Sequence, residues 1–126
     1  MDKFELIART KKFAGRIYFF AEGLPNSRGA NNIAHQVHKS SSSVAANYRA
    51  ACRAKSKADF LNKLKIVEEE ADETLFWLEF ANDLSIVKDK TELNVLINEA
   101  DELVAIFTKS LKTLRENSNK IVNQKS

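Results

Sequence analysis

At 126 residues, 44% of them hydrophobic and 29% charged, the chain suits one domain with a real core and is too small for two ordinary ones. Its three Gly and single Pro all precede position 30, so the rest lacks the two strongest helix breakers, and no apolar run approaches the roughly 20 residues needed to cross a bilayer. The net charge of +3 is unevenly spread: residues 1–66 hold thirteen Lys or Arg against four Asp or Glu, while residues 67–126 hold seven against thirteen.

Helix 1 is expected over about 2–22, with Leu6, Thr10, Phe13, Ile17 and Phe20 on one seam and Ile7, Ala14, Tyr18 and Ala21 beside it. Gly23 is placed for a left-handed C-terminal conformation, and Pro25 cannot continue a helix. The polar face carries Arg9, Lys11, Lys12 and Arg16.

Asn26 or Ser27 can cap helix 2, expected over 27–54 with the seam Ala30, Ala34, Val37, Ser41, Val44, Tyr48 and Ala51. Small seam residues let this helix approach its neighbours closely. The run Ser40 to Ser43 is a weak point, because serine competes for backbone hydrogen bonds. The heptad phase passes through it unshifted, so the helix is expected to continue.

Ser56, followed three residues later by Asp59, comes close to a capping box and starts helix 3, expected over 56–84. Phe60, Leu64, Val67, Ala71, Thr74, Leu78 and Ala81 form its core seam. A second apolar set, Ile66, Trp77, Phe80 and Leu84, lies roughly 100° to 160° away at about 100° per residue. One intramolecular core does not easily cover both, so this set, together with Glu70 and Glu73, is the expected contact with another copy. Glu73 shares the face of Trp77 and Phe80 and is expected to meet a cation across that contact, with Arg49 and Arg53 the candidates.

Thr91 is the expected cap of helix 4, over 91–117, with the seam Leu93, Ile97, Ala100, Val104, Phe107, Leu111 and Leu114. Glu99, Asp101 and Glu102 lie near its start and Lys109, Lys112 and Arg115 near its end, as the helix dipole favours. Residues 119–126 lose the pattern and are expected to fray. Four long helices with short loops over 1–118 make an all-α, up-down-up-down antiparallel four-helix bundle.

No catalytic constellation accompanies this pattern. His35 and His38 are the only histidines, and the Glu-x-x-His motif of di-metal bundles is absent, so no metal or other cofactor is expected. The single Cys52 cannot form an internal disulfide and is read as a packing residue. The N-terminus is charged rather than basic-then-apolar, which points to the cytosol. The acidic run Glu68, Glu69, Glu70, Asp72 and Glu73 points in several directions around its helix, as a solvated or ion-paired face does.

The segments Asn47-Tyr48-Arg49-Ala50-Ala51, Arg53-Ala54-Lys55-Ser56, Phe60, Lys63-Leu64, Glu70-Ala71-Asp72-Glu73-Thr74 and Trp77-Leu78-Glu79 carry a resemblance. Over roughly residues 8–115 the chain resembles the bacterial four-helix-bundle family named for proteins encoded in intervening sequences of 23S ribosomal RNA genes. That resemblance implies a ring-shaped homopentamer and a ribosomal connection, and it brings no catalytic motif. The chain also resembles a basic pentameric accessory protein of diversity-generating retroelements, which implies nucleic-acid binding. The cations Arg49, Arg53, Lys55, Lys57 and Lys63 around the turn between helices 2 and 3, with Arg9, Lys12 and Arg16, are the expected nucleic-acid face. No aromatics visibly interleave with them, so contact with the RNA backbone is expected rather than base stacking. The competing reading is a protein-interaction scaffold whose charges serve subunit pairing and solubility.

Overall fold

The computed structural model describes residues 1–125, with side chains through Asn119. Among them are four helices and no strand: α1 Lys3–Glu22, α2 Arg28–Ala51, α3 Lys57–Asp83 and α4 Thr91–Lys125. Each start is set by a short polar side chain that satisfies an orphan backbone N–H. Asp2 accepts from Glu5 N at 2.8 Å, Ser27 from Ala30 N at 3.2 Å and Ser56 from Asp59 N at 3.1 Å. The capping box at Ser56 is only half formed, because the Asp59 carboxylate turns to Lys63 Nζ at 2.6 Å. At α4 the acceptor is Asp89, not Thr91: its Oδ1 takes Thr91 N–H at 3.0 Å, and that bond holds the Asp89 carboxyl below its usual range.

The helix ends depart from expectation in three places. Gly23 stays right-handed at φ −84°, because its N–H already bonds the Phe19 and Phe20 carbonyls and tightens the last turn; the left-handed residue is Ser85, at φ 54°, after α3. α2 closes at Ala51, with Arg53 N bonding Ala50 O and Ala54 N bonding Ala51 O as successive turns. α4 runs through Lys125 rather than stopping near 117, since nothing after Leu114 interrupts its backbone ladder. The expected frayed segment 119–126 is therefore helical to Lys125, and Ser126 lies outside the described residues. Lys109, Lys112 and Arg115 consequently sit inside α4 rather than in its last turn.

The helices pack in chain order around a square, α1 on α2, α2 on α3, α3 on α4 and, most lightly, α4 on α1. Cross-contacts give the direction: Arg9 meets Glu99 and Glu102 while Arg16 meets Glu92, so α1 and α4 run antiparallel. The bundle is all-α, as the periodicity predicts. Phe13, Ile17, Val37, Val44, Leu64, Val67, Leu78, Leu93 and Phe107 are fully buried at its centre, where the Tyr48 and Phe107 rings meet at 5.5 Å.

The α3 seam is buried as expected from Leu64 to Ala81, with Phe60 half-buried at the end. On the other helices the inward stripe shifts by one residue in places. Ala21 replaces Phe20, Ile33 and Ser40 join α2's core, and Leu96 and Leu103 are buried while Ile97 and Val104 pack beside them. Where two adjacent residues are apolar, the spacing alone does not choose between them; the neighbouring helix does.

α2 is continuous through the serine run. Ser40, Ser41 and Ser42 hydroxyls bond the carbonyls of Val37, His38 and Lys39, so the polar groups are satisfied locally. Ser40 and Ser41 are buried, and Thr74 Oγ1 of α3 lies 2.8 Å from Ser40 Oγ. Small side chains here bring α2 and α3 close together. Ser40→Leu is therefore expected to cost about 1–3 kcal/mol by overpacking this contact, whereas Ser42→Leu, in the same run but exposed, should stay within about 0.5 kcal/mol of wild type in urea unfolding.

Candidate functional site

α3 places an aromatic cluster on its outer side. The Phe76 ring, 54% exposed, stacks 5.8 Å from Phe80, which is 37% exposed, and Trp77 sits edge-on to both at 5.0 and 6.1 Å. Ile66 and Leu84 are exposed too, but Ile66 stands about 15 Å before Phe76 along the helix with Glu69, Glu70 and Glu73 between, and Trp77 is half-buried against the protomer's own core. Phe76 is absent from the set expected from sequence; its i,i+4 relation to Phe80 was the available signal, masked because Phe76 lies on the far side of the arc.

The two acidic residues assigned to this face divide. Glu73 Oε1 accepts from Trp77 Nε1 at 3.3 Å, which steadies the indole within the protomer, and no described ion pair involves Glu73. Glu70 instead turns toward α2, near Ser43 and Lys39. Burial, and then the adjacent Glu73 charge, push its carboxyl above the usual range despite the opposing pull of Ser43 and Lys39. Further round the helix, Glu68 Oε1 accepts from Thr108 of α4 at 3.4 Å.

The eight expected nucleic-acid cations also separate. Arg9 is bound to Glu99, with Nε 2.8 Å from Oε2, and its Nη2 reaches both Glu99 and Glu102. These bonds, Glu99's first, hold its guanidinium even more firmly protonated than usual. Arg16 grips Glu92 through Nε and Nη2 at 3.0 and 2.9 Å, and Lys63 is held by Asp59. These three are spent on carboxylates of the same chain. Lys12, Arg49, Arg53, Lys55 and Lys57 have no ion pair among the described residues; all five are exposed, and the last four gather at the α2–α3 turn. From Lys57 to Phe76 is about 29 Å along α3, so the cationic turn and the aromatic cluster are separate surfaces.

Among the described residues no three His, Cys, Asp or Glu side chains come together as a metal site. His38 packs against the Tyr18 ring at 5.5 Å. Cys52 is half-buried beside Tyr48, whose phenol is pushed above its ordinary range by burial and then by its contact with Cys52. No described helix is long and apolar enough to cross a membrane.

A family profile described as 23S rRNA-intervening sequence protein matches residues 2–109. The chain belongs to this family. Among solved structures it is similar to a protein of unknown function from the S23 ribosomal protein family of Bacteroides thetaiotaomicron, seen at 1.70 Å resolution. The two share 29% identity with a TM-score of 0.79 over 89% of this chain and 99% of the other. Among curated proteins none matches significantly. The profile of the 23S rRNA-intervening sequence protein family spans the cationic turn and the aromatic face alike, and ends within α4.

Because the fold favours the protonated form of Glu70, that group's stabilising contribution is fully present below the ordinary Glu range and is lost as pH rises through the raised pKa. Glu70→Gln should therefore match wild type at about pH 4 or below and melt at a higher temperature near neutrality, as thermal unfolding across that range would record.

Proposed function

We propose that this member of the 23S rRNA-intervening sequence protein family is a non-enzymatic, cytosolic assembly module that associates with copies of itself through the outer face of α3 and binds structured RNA through the α2–α3 turn. The observation that carries the reading is the exposed stack of Phe76 and Phe80 beside Trp77. A lone protomer gains nothing from holding such a patch in water, whereas a second copy buries it.

A closed ring joins two different patches head to tail. α1 occupies the corner diagonal to α3 and exposes Phe19 (75%), which supplies a second apolar surface for that purpose. The homopentamer that the family resemblance implies would then repeat the cationic turn five times, so that individually weak phosphate contacts add. The family's name, 23S rRNA-intervening sequence protein, supports an RNA context for these cations.

The scaffold reading is favoured by one observation: Arg9, Arg16 and Lys63 are occupied within the chain, which leaves a smaller basic surface than the sequence promised. RNA binding separates the two. The wild-type chain should sediment at five times its 14.2 kDa protomer mass, and Phe76→Glu with Phe80→Glu, at exposed positions, should sediment as a folded monomer. A monomeric wild type at high concentration would sink the assembly. Arg53→Glu with Lys57→Glu should weaken binding to ribosomal RNA fragments and flatten the log–log salt dependence by about 2 per protomer engaged. No binding at low salt would leave the scaffold reading in place.

A further inference from the structure

At the end of the bundle where α2 turns into α3, the side chains surround a half-open cavity of about 880 Å³, inside the range of about 300–1,000 Å³ typical of small-ligand clefts. Its origin is local. Alanines at 51, 54 and 58 leave room around the turn, while α4 continues past the other helices and closes one side with Leu114, Asn117 and Ser118. The floor is apolar and partly aromatic, with Phe60 and Leu61 from α3 and the half-buried Cys52 beneath. The rim is cationic: Lys3 comes from α1, Lys55 from the turn and Lys57 from the start of α3.

Among the described residues no carboxylate lines this cavity, although Asp2 lies near enough to Tyr48 at its wall to help raise that phenol's pKa, and none of the three lysines has an ion pair. The combination selects a ligand that is flat and apolar on its faces yet multiply anionic at its edge. A nucleotide has that chemistry, and Arg49 and Arg53 on the same end of the molecule extend the positive surface beyond one phosphate. A base still paired within a helix would have to be unstacked first, whereas a bulged or looped base is already available.

We propose that the cavity receives one unpaired nucleotide of an RNA strand, with its base against Phe60 and Leu61, its own phosphate on Lys55 and Lys57, and the flanking phosphates on Arg49 and Arg53. This deepens the proposed RNA-binding role of the turn and rests on it. It departs from the expectation of purely backbone contact, because Phe60 lines the same cavity as Lys3, Lys55 and Lys57.

The full-length chain is titrated with a perfect RNA duplex and with the same duplex carrying one bulged nucleotide, at two salt concentrations, by fluorescence anisotropy. The bulged RNA is expected to bind about tenfold more tightly. Ala58→Trp fills the mouth from an exposed position, and Phe60→Leu keeps apolar bulk without the ring; each should bring the two affinities together, with melting curves verifying the fold. Nucleoside monophosphates should compete with the bulge-specific part of the binding. Equal wild-type affinities for the two RNAs, or a bulge preference that survives both variants, would overturn the cavity assignment while leaving the basic-turn reading intact. Salt-insensitive or absent binding to either RNA would overturn both.

Discussion

The close contact between α2 and α3 governs how this bundle uses its apolar surface. Ser40 and Thr74 meet through their hydroxyls in a buried setting, with Ser41, Val44 and Ala71 also turned inward nearby in the sequence. Small side chains allow the two backbones to approach, and the same closeness leaves no room between them for a Phe or Trp ring. α3 therefore spends its modest residues, Val67, Ala71, Thr74 and Leu78, on the interior and carries Phe76 and Phe80 outside. An exposed aromatic stack is thus the counterpart of a tightly closed core.

Electrostatics follow the same geometry. α1 and α4 are the first and last helices and make the lightest contact in the square. Across that seam Arg9 and Arg16 reach Glu99, Glu102 and Glu92 in paired, fork-like contacts. Exposed ion pairs contribute little singly, but here they supply register and direction where apolar packing is thinnest. Arg9 and Arg16 of α1 are consumed by this stitching, whereas Lys12 on the same helix is exposed and in no ion pair among the described residues. Cations beyond the end of α2 have no acidic helix opposite them, which is why positive charge survives at the turn.

The turn also concentrates the irregular features of the chain. α2 ends in successive tight turns, α3 restarts under the Ser56 cap, and α4 passes alongside with its last described side chains. A cavity arises because α1, α2 and α3 all begin or end here while α4 continues. The aromatic surface on α3 and the cationic end are about 29 Å apart along one helix, so assembly and ligand contact need not compete for the same side chains.

Helix number, fold class, the capping side chains Ser27 and Ser56 and the α3 seam were legible in the sequence, because each depends on residues within a few positions of one another or on a repeat close to 3.6. So was the surplus of apolar residues on α3, since a helix's angular arithmetic needs no partner. Which of Ile97 or Leu96 turned inward was not legible, nor was the occupation of Arg9 by a carboxylate ninety residues away. The cavity that joins Lys3 of α1 and Leu114 of α4 to Phe60 and Lys57 of α3 likewise emerged only once the helices had been set against one another. Local spacing determined that there would be four amphipathic helices; the tertiary structure decided which faces and charges were left over, because surplus is defined only by what a neighbouring helix already covers.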